Sequence, residues 1–458
     1  MSDSFRARRD KKPRRGVLYG EAALQYTERV SFRKIVKAFI PRQLFHQIEP
    51  FGHLLEAVLF NIINGFPARR FKVIGITGTN GKTTTAFLVH KMLHEAGYKV
   101  GMMTTVAYGA GDNIKPQTLH MTNVPVPVMM KRLKYLRGQG AEWLVMEATS
   151  MALAQNRLWG VPFELVAMTN ISQDHLDYHK SMANYINAKL KLFRLANSNK
   201  KGLMTGVVNA DDATAGRFTS AIKHSVTYGI KAGKLKAKSV QLTPTGVNYK
   251  AVIDREEYSI KTNLPGKFNV YNSLAAVSIG RVLGLSKQQI EQGIAALEGV
   301  SGRMTAIDAG QNFNVIVDFA HSPDALQNVL SASEELTKGK VILVFGATGD
   351  RDKSKRPIMG EMAAENADQI FLTDDETYTE NPQAIIESVY KGIETGGGQA
   401  KTTIVGDRLK AIKAAFAAAK PGDTVLLTGI GHQTTRNMGG KEEAWNEIAI
   451  AQKLLKDA

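Results

Sequence analysis

The segment Phe71–Tyr98, FKVIGITGTNGKTTTAFLVHKMLHEAGY, decides the fold of this chain. It opens with the apolar stretch FKVIGIT, continues through the glycine-rich GTNGKTTT and ends in a stretch whose apolar residues recur at helical spacing. A strand, a glycine-rich turn, Lys-Thr and a helix form the architecture of a phosphate-binding loop. In such a loop, backbone N–H groups and the positive end of the helix dipole hold phosphate oxygens. The segment therefore predicts a parallel α/β nucleotide-binding domain.

Two residues of the loop carry the expected phosphate chemistry. Lys82 is expected to reach the β- and γ-phosphates, and the Thr83 hydroxyl to ligate Mg²⁺. The glycines stand at positions 75, 78 and 81, so their spacing differs from the common G-x-x-x-x-G-K-[ST] pattern. A chance glycine-rich turn is the alternative, and the flanking strand and helix argue against it. The residues of this segment expected to contact ATP are Gly78, Thr79, Asn80, Gly81, Lys82, Thr83 and Thr84.

A second group of polar residues follows two further apolar strands. EWLVMEATSMAL reads as a strand ending in Glu147, and a carboxylate at that end of a parallel strand lies where ligands bind. FELVAMTNIS runs into a segment with five ionisable side chains within 16 residues, which are Asp174, His175, Asp177, His179 and Lys189. This density suggests hard-cation or phosphate chemistry. A solvated loop and an ordinary surface lysine are the alternatives.

The composition of the 458-residue chain bounds its class. Hydrophobic residues make up 43% and charged residues 22%, as in globular proteins of two to four domains. There is no cysteine, which excludes disulfides, thiolate zinc sites, iron–sulfur clusters and cysteine nucleophiles. A formal charge of +17 allows nucleic acid, an anionic membrane surface or an anionic substrate as the partner.

About half of that charge lies near the N-terminus. Residues 1–72 hold 15 Lys and Arg against 6 Asp and Glu, a net of +9. The first 16 residues are polar and basic, which predicts a disordered arm rather than a signal peptide. Residues 31–67 show helical periodicity cut by Pro41 and Pro50, and Phe51–Phe66 is too short and too polar to span a membrane. It is either a helix packed on the next domain or an interfacial helix on anionic lipid.

A new α/β pattern begins near Ser301. Its predicted strands are NVIVDF, KVILVFGA, QIFLTD, TTIVG and DTVLLTG, with helices between them. The predicted fold is thus α/β, with a basic helical segment (1–70), a central phosphate-loop ATPase domain with a parallel sheet (71–300) and a smaller Rossmann-like domain (301–458). The active site is expected between the last two, with closure completing it.

The motifs in order resemble the Mur ligase family, the ATP-dependent amide-forming ligases of peptidoglycan precursor synthesis. The matching segments, which cover about residues 71–458, include GITGTNGKTTT, MEATSMALAQNRL, MTNISQDHLDYH, LPGKFNVYNSLAA, DFAHSPDAL and FGATGDRDKSKRPIMG. DHLDYH and GDRDKSKRP resemble the MurE-type branch, which adds the third amino acid to UDP-MurNAc-L-Ala-D-Glu. The resemblance implies a cytoplasmic, monomeric enzyme with small-molecule substrates and no nucleic-acid partner.

The resemblance also implies a mechanism in which ATP activates the acceptor carboxylate as an acyl phosphate and an amine attacks it. Thr83 would hold one Mg²⁺, and Glu147, His175 and a carbamylated Lys189 would hold the second. The implied catalytic residues are Lys82, Glu147, His175, Lys189 and Arg303. Further implied nucleotide contacts are Asn170, Asn269, Asn272, Arg303 at the γ-phosphate and Asp318 at the ribose.

The substrate-binding positions depart from the family pattern. The D-N-P-R motif of diaminopimelate-adding members reads Asp375-Glu376-Thr377-Tyr378, and G-K-G-H-E reads GIGHQ at 429–433. Arg351 would pair with the α-carboxylate of the amino acid, and the acidic run favours lysine or another diamino acid. On the acceptor side S-S-H reads Thr149-Ser150-Met151. The implied substrate contacts are Thr122, Ser150, Arg157, Arg351, Asp375, Glu376 and Gln433.

Other functions stay open at this point. Only about 70 basic, helix-like residues precede the loop, and they show no uridine-binding pattern. A Mur-like ligase acting on a polyglutamate, folate or storage-peptide acceptor is therefore an alternative. A non-catalytic nucleotide-binding or nucleic-acid-binding protein is a third possibility, but its only support is the basic charge. An anionic membrane surface is the expected partner of the N-terminal segment.

Overall fold

The computed structural model describes residues 42–119, 121–243 and 245–457. The predicted disordered arm and the predicted break at Pro41 lie outside these residues. The first described element is helix α1 (Arg42–Ile63), which a short 3-10 turn (Pro67–Arg70) connects to the first strand.

Helix α1 continues through Pro50, so the predicted break at that residue is wrong. A proline inside a helix removes one backbone hydrogen bond, and the surrounding turns can continue past it. Ala57 and Asn61 are fully buried, and Asn61 Nδ2 donates to the carbonyl of Trp159 at 3.1 Å. The C-terminal part of α1 is thus anchored on the central α/β layer. None of the described helices is long and apolar enough to cross a membrane.

The central part is built on an eleven-stranded sheet with the order β11-β10-β9-β8-β7-β6-β1-β5-β2-β3-β4. Its strands are β1 (Lys72–Thr77), β2 (Val100–Met103), β3 (Ala107–Ala110), β4 (Asn113–Pro116), β5 (Trp143–Glu147), β6 (Phe163–Met168), β7 (Thr205–Asn209), β8 (His224–Gly229), β9 (Leu235–Thr243), β10 (Gly246–Ile253) and β11 (Glu256–Thr262). The strands from β9 to β2 in this order pair in parallel, as predicted, whereas β3–β4 and β10–β11 add antiparallel pairs at the two edges.

Helices cover both faces of this sheet. They are α2 (Lys82–Glu95), α3 (Val126–Gly138), α4 (Ser150–Ala154), α5 (Leu176–His179), α6 (Met182–Ser198), α7 (Ala215–Thr219), α8 (Phe268–Val282) and α9 (Lys287–Ala295). Strand β1 is buried in five of its six residues, which is the burial expected of a central parallel strand. Because β1, β5 and β6 are neighbours, the loops after their carboxyl ends meet at one edge of the sheet.

The second part is built on a six-stranded sheet with the order β12-β13-β17-β14-β15-β16, antiparallel only between β12 and β13. Its strands are β12 (Thr305–Ile307), β13 (Asn314–Asp318), β14 (Val341–Phe345), β15 (Gln369–Leu372), β16 (Thr402–Ile404) and β17 (Thr424–Thr428), and a hairpin of β18 (Thr435–Met438) and β19 (Lys441–Ala444) follows. Its helices are α10 (Pro323–Leu336), α11 (Lys355–Asn366), α12 (Pro382–Thr395), α13 (Arg408–Ala418) and α14 (Glu447–Lys456). The proposed boundary near residue 300 falls between the two sheets.

Candidate active site

The loop after β1 has the backbone geometry that its glycines predict. Gly78 and Gly81 have φ values of 150° and 78°. A Cβ atom at Gly78 would collide with the Thr169 hydroxyl, and one at Gly81 with the side-chain oxygen of Asn272. Both positions therefore require glycine, and the loop leads directly into the first turn of α2, where backbone N–H groups are available to an anion.

Two residues outside the loop brace it. The Asn80 backbone N–H donates to Asn170 Oδ1 at 2.9 Å, and Asn170 Nδ2 donates to the Asn80 carbonyl at 3.1 Å. Asn80 Nδ2 donates to Asp324 Oδ2 at 2.5 Å, and the Ser172 hydroxyl donates to the same oxygen at 3.2 Å. Asp324 lies in the first turn of α10, a helix that packs with the six-stranded sheet. Its carboxylate therefore holds a loop that belongs to the eleven-stranded sheet. Asn170 supports the loop, and its direct contact with ATP stays a prediction.

Lys82 lies folded over the loop. Its Nζ donates to the carbonyls of Gly78 and Thr79 at 2.9 and 2.6 Å. Burial lowers the pKa of Lys82, Glu147 oppositely raises it, and Arg303 adds to the lowering. Glu147 and Arg303 therefore lie close enough to the loop for their charges to affect the Lys82 ammonium.

Lys189 is more deeply enclosed than Lys82. It is 2% exposed, and its Nζ donates to the Gly78 carbonyl at 2.5 Å and lies 4.5 Å from the centre of the Tyr185 ring. Burial lowers the pKa of Lys189 well below its ordinary value, and the charge of Lys82 adds to this effect. A neutral amine is the form that reacts with CO₂, so the predicted carbamylation fits the surroundings of this residue. The modification itself stays a prediction.

Arg303 connects the second part of the chain to the loop. It donates from Nη2 to the Thr83 hydroxyl at 3.3 Å, and burial lowers its pKa while Asp318 opposes the shift. The two Asp318 oxygens accept from the backbone N–H groups of Met304 and Ala320 at 2.7 and 2.8 Å. Asp318 therefore holds the turn that carries Arg303, and its predicted ribose contact stays a prediction.

Glu147 is fully buried at the end of β5. Its Oε1 accepts from the Thr105 backbone N–H at 2.8 Å, and its Oε2 accepts from the Thr105 hydroxyl at 2.9 Å. The same hydroxyl lies 2.9 Å from the Thr122 hydroxyl, which connects a predicted acceptor contact to the predicted Mg²⁺ ligand. Thr105 was missed in the sequence because nothing in TTVAY distinguishes it from any other loop threonine.

His175 begins α5 in the left-handed conformation, with φ 54°, and its Nε2 lies 3.4 Å from Asp174 Oδ2. Burial lowers the pKa of His175. Burial alone would raise the pKa of Asp174, but His175, Lys355 and His321 together hold it well below its ordinary value. Lys355, whose Nζ donates to the His321 carbonyl at 2.7 Å, is a further residue whose position the sequence did not indicate.

No three histidine or carboxylate side chains of the described residues form a ready-made metal site. The predicted Mg²⁺ set of Thr83, Glu147, His175 and Lys189 includes a hydroxyl and a modified lysine, so it stays a prediction. The fit of ATP and Mg²⁺ to this site is argued instead from the charges around the loop. Lys82 and Arg303 lie at one glycine loop, and neither forms an ion pair with a carboxylate among the described residues. Cations enclosed in this way favour a polyanion such as ATP with its Mg²⁺.

The remaining predicted nucleotide contacts lie at the start of α8. Asn272 Nδ2 donates to Asn269 Oδ1 at 2.8 Å, and Asn269 Nδ2 donates to the Pro265 carbonyl at 2.7 Å. Asn272 Oδ1 accepts from Thr85 at 3.5 Å and lies against Gly81. Asn272 therefore lies against the loop and Asn269 supports it, while the contact of either residue with the nucleotide stays a prediction.

The predicted acceptor contacts are held around one asparagine. Arg157 Nη1 donates to the Asn123 carbonyl at 2.5 Å, and Asn123 Nδ2 donates to the Glu147 carbonyl at 2.7 Å. Ser150 is 1% exposed at the start of α4, and Thr149 caps that helix. Arg157 therefore supports the strand that carries Glu147 through Asn123, Ser150 is buried at the start of α4, and the contact of either residue with an acceptor stays a prediction.

A cleft with a cavity volume of about 110 Å³ lies where the loops of the two sheets face each other. It brings together residues predicted separately from the sequence, and its lining includes Asp174, His175, Arg351, Glu376, Tyr378 and Gln433. Gln433 Nε2 donates to Glu376 Oε2 at 3.2 Å. Asp375 is buried next to Glu376. Its Oδ1 accepts from the Glu376 N–H at 2.6 Å, and burial raises the pKa of Asp375 to about 6.

Comparisons with known proteins agree with this geometry. The profile of the Mur ligase middle domain matches residues 76–280, and that of the Mur ligase glutamate ligase domain matches residues 302–431. UDP-N-acetylmuramoyl-L-alanyl-D-glutamate–2,6-diaminopimelate ligase 1 of Clostridium acetobutylicum is 38% identical over 395 residues, covering 85% of this chain and 79% of its own. The corresponding ligase of Aquifex aeolicus is 40% identical over 394 residues, with coverage of 85% and 79%.

Solved structures extend the comparison. A UDP-N-acetylmuramoyl-L-alanyl-D-glutamate–2,6-diaminopimelate ligase superposes with a TM-score of 0.58 at 29% identity, covering 84% of this chain and 78% of that one. The folylpolyglutamate synthase of Mycobacterium tuberculosis has a TM-score of 0.68 at 16% identity, over 83% and 96%, which shows a shared fold alone. The chain belongs to the Mur ligase family of ATP-dependent amide-forming ligases, in its MurE-type branch.

Proposed function

We propose that this enzyme joins a diamino acid to the free carboxylate of UDP-MurNAc-L-Ala-D-Glu, as a step of peptidoglycan precursor synthesis. The observation that carries the proposal is the convergence of Lys82 and Arg303 on one glycine loop, where neither has a carboxylate partner among the described residues. These charges suit a nucleotide that meets a second anion, the acceptor carboxylate. The names of the similar ligases support the identity of the acceptor.

ATP with Mg²⁺, when bound, supplies the phosphoryl group that converts the acceptor carboxylate into an acyl phosphate, which an amine can attack. The loop N–H groups and Lys82 bind and orient the phosphates, while Arg303 adds a second positive charge from the other sheet. Thr83, Glu147 and His175 offer oxygen and nitrogen ligands to the cations, and a carbamate on Lys189 would add another. Together these groups screen the repulsion between the two anions that have to meet.

Phosphate release tests this proposal. With ATP, Mg²⁺ and UDP-MurNAc-L-Ala-D-Glu, we expect release that depends on an added diamino acid. Lys82→Ala is expected to lower this rate at least about 100-fold, because a charge on the phosphates is lost. The matched control is Lys91→Ala on the same helix, since Lys91 pairs with Glu95 at 2.5 Å, and it should leave the rate unchanged.

Absence of release with every amino acid, in protein that still binds ATP, would overturn the proposed function. Release with a folyl-glutamate acceptor in place of the UDP-sugar would assign the chain to another acceptor class.

We further propose that the enzyme acts as a cytoplasmic monomer that associates peripherally with anionic membrane surfaces through its N-terminal region. The supporting observation is an apolar row on α1, where Leu55, Leu59, Ile62 and Ile63 are 50–70% exposed. The net charge of +9 in residues 1–72 complements an anionic lipid surface.

Flotation with vesicles tests this second proposal. We expect binding to vesicles containing phosphatidylglycerol and none to neutral vesicles, with binding weakened by salt. A Leu55→Ser/Leu59→Ser variant should lose most of this binding and keep its phosphate release. Retained binding in the variant would contradict the assignment of the apolar row.

A further inference from the structure

A carboxylate from the part of the chain with the six-stranded sheet reaches the glycine loop of the other part. Asp324, in the first turn of α10, accepts with Oδ2 from Asn80 Nδ2 at 2.5 Å and from the Ser172 hydroxyl at 3.2 Å. Asn80 lies in the loop after β1, and Ser172 lies in the loop after β6. A first-turn aspartate commonly stabilises its own helix, but this side chain binds two loops of a different sheet. Its position is therefore tied to the glycine loop.

The negative charge of Asp324 is not cancelled by a cation. Both of its side-chain hydrogen-bond donors, an amide and a hydroxyl, are neutral, and it forms no ion pair in the part of the chain that the structure describes. The charge extends into the site, because burial raises the pKa of Tyr185 and the charges of Asp174 and Asp324 raise it further. The Tyr185 hydroxyl lies 2.9 Å from the hydroxyl of Thr79. The glycine loop is therefore within range of the Asp324 charge.

Phosphates held by the loop would lie beside this charge. Asn80 stands between Gly78 and Gly81, and Lys82 follows directly. The loop and the first turn of α2 offer their N–H groups to the phosphates at this place. Free ATP is a polyanion, whereas Mg²⁺ bound to its phosphates cancels part of their charge. A carboxylate without a counter-charge therefore opposes binding of free ATP more strongly than binding of its Mg²⁺ complex.

The cations of the site cannot supply this discrimination. Lys82 and Arg303, which both contact the loop or the first turn of α2, attract the more negative free nucleotide more strongly than the Mg²⁺ complex. Preference for the complex therefore requires a repulsive group that rejects the competitor. Asp318 lies close enough to Arg303 for the two charges to offset each other, but Asp324 has only neutral partners.

We propose that Asp324 is a specificity-determining residue that makes the loop bind the Mg²⁺ complex of the nucleotide in preference to the free nucleotide. It does so by placing an uncancelled negative charge beside the phosphates. The inference rests on the proposed function, which makes ATP the ligand of the loop. Because Asp324 belongs to α10, the discriminating charge comes from the part of the chain that also carries Arg303.

The test is calorimetric titration of the full chain with the non-hydrolysable analogue β,γ-imido-ATP, in Mg²⁺ or in EDTA. We expect the Mg²⁺ complex to bind about 10-fold more tightly than the free analogue. Asp324→Asn keeps a side-chain oxygen that can accept from Asn80 and Ser172 but removes the charge. It should raise the affinity for the free analogue about fivefold and that for the complex less than twofold, so the preference falls to about threefold.

Two further variants separate the charge from the hydrogen bonds. Glu335→Gln removes an exposed charge from the same helix and should leave both affinities unchanged within twofold. Asp324→Glu retains the charge and should retain most of the preference, whereas loss of the preference in this variant would assign it to the geometry of the hydrogen bonds and overturn the inference.

The remaining outcomes are equally clear. An unchanged preference in Asp324→Asn overturns the inference while the proposed function stands. Weaker binding of the Mg²⁺ complex with unchanged binding of the free analogue also overturns it, because Asp324 would then help to hold the metal. Absence of binding of either form to the unsubstituted chain overturns the proposed function as well.

Discussion

Replacing Lys189 by alanine is expected to lower kcat about 1000-fold with little change in ATP binding. The amine is 2% exposed, is hydrogen-bonded to the loop carbonyl of Gly78 and has a strongly lowered pKa. A neutral buried amine can take up CO₂ to become an anionic carbamate, which reverses the local charge and supplies oxygen ligands for a hard cation. Without the carbamate, the negative charge that develops in the transition state loses the cation that the carbamate would help to hold.

Lys191 on the same helix provides the matched control. Its Nζ lies 3.4 Å from the Ala154 carbonyl and 3.5 Å from Asn156 Oδ1, in a surface pocket beside Trp159. Lys191→Ala should therefore keep activity within about twofold, as surface substitutions usually do. A carbamate signal from ¹³C-bicarbonate should appear in the spectrum of the Lys191 variant and be absent from that of Lys189→Ala.

Short carboxylic acids give the opposing test. Because acetate or propionate can enter the space left by the lysine side chain and replace the missing carboxylate, either acid should restore part of the activity of Lys189→Ala. Full activity of Lys189→Ala without additives, or a carbamate signal that persists in it, would contradict the carbamate.

The parts of the site that were predictable from the sequence are those with local signals. The loop at 78–81 follows a strand and precedes a helix within one short segment, so its geometry could be predicted without distant contacts. Arg303, Asp318 and the asparagines of α8 were assigned by resemblance. Arg303 and Asn272 contact the loop and the start of α2, while Asp318 holds the turn that carries Arg303 and Asn269 supports Asn272. In these cases one short motif contains both the residue and its structural context.

The parts that were not predictable depend on contacts between distant segments. Thr105 holds Glu147 from 42 residues away, and Asp324 holds Asn80 from 244 residues away. Neither Thr105, in a loop, nor Asp324, in the first turn of α10, carries a local sequence signal of its distant contact. The antiparallel edge β9–β11 was also missed, although the alternating exposure of residues 246–262 is typical of a strand with one solvent face. The break at Pro50 was wrong because the helix continues on both sides of the proline, which removes only one backbone hydrogen bond.

The largest expected effect on stability comes from Arg408 at the start of α13. Both Arg408 and Glu447 have no exposed surface, and the guanidinium donates from Nε to the two Glu447 oxygens at 3.0 Å. The same guanidinium donates to the carbonyls of Asp374 at 3.1 Å and Thr428 at 2.6 Å. One side chain thus joins the segments that follow β15 and β17 to helix α14.

Arg408→Ala is expected to lower the free energy of unfolding of the C-terminal part by about 3–5 kcal/mol, since it leaves a buried carboxylate without its cation. The control is Lys99→Ala, which removes a pair with Glu142 whose side chains are 69% and 56% exposed and should cost less than about 1 kcal/mol. Urea denaturation followed by tryptophan fluorescence measures both. Trp445, whose Nε1 donates to Glu447 at 2.7 Å, reports the region of Arg408, and Trp143, whose backbone N–H donates to the Lys99 carbonyl at 3.1 Å, reports the region of the control.

A second variant separates the charge from the packing. Arg408→Ala/Glu447→Gln removes the uncompensated carboxylate, so it should be more stable than Arg408→Ala alone, with a coupling free energy of about 2 kcal/mol. Equal stability of the two variants would mean that the packing of the arginine side chain, and not the ion pair, holds this region.

Because Arg408 holds the Asp374 and Thr428 carbonyls, the same variants should also raise KM for the amino acid. The segments that form the cleft wall, at 374–378 and 428–433, begin at those two residues.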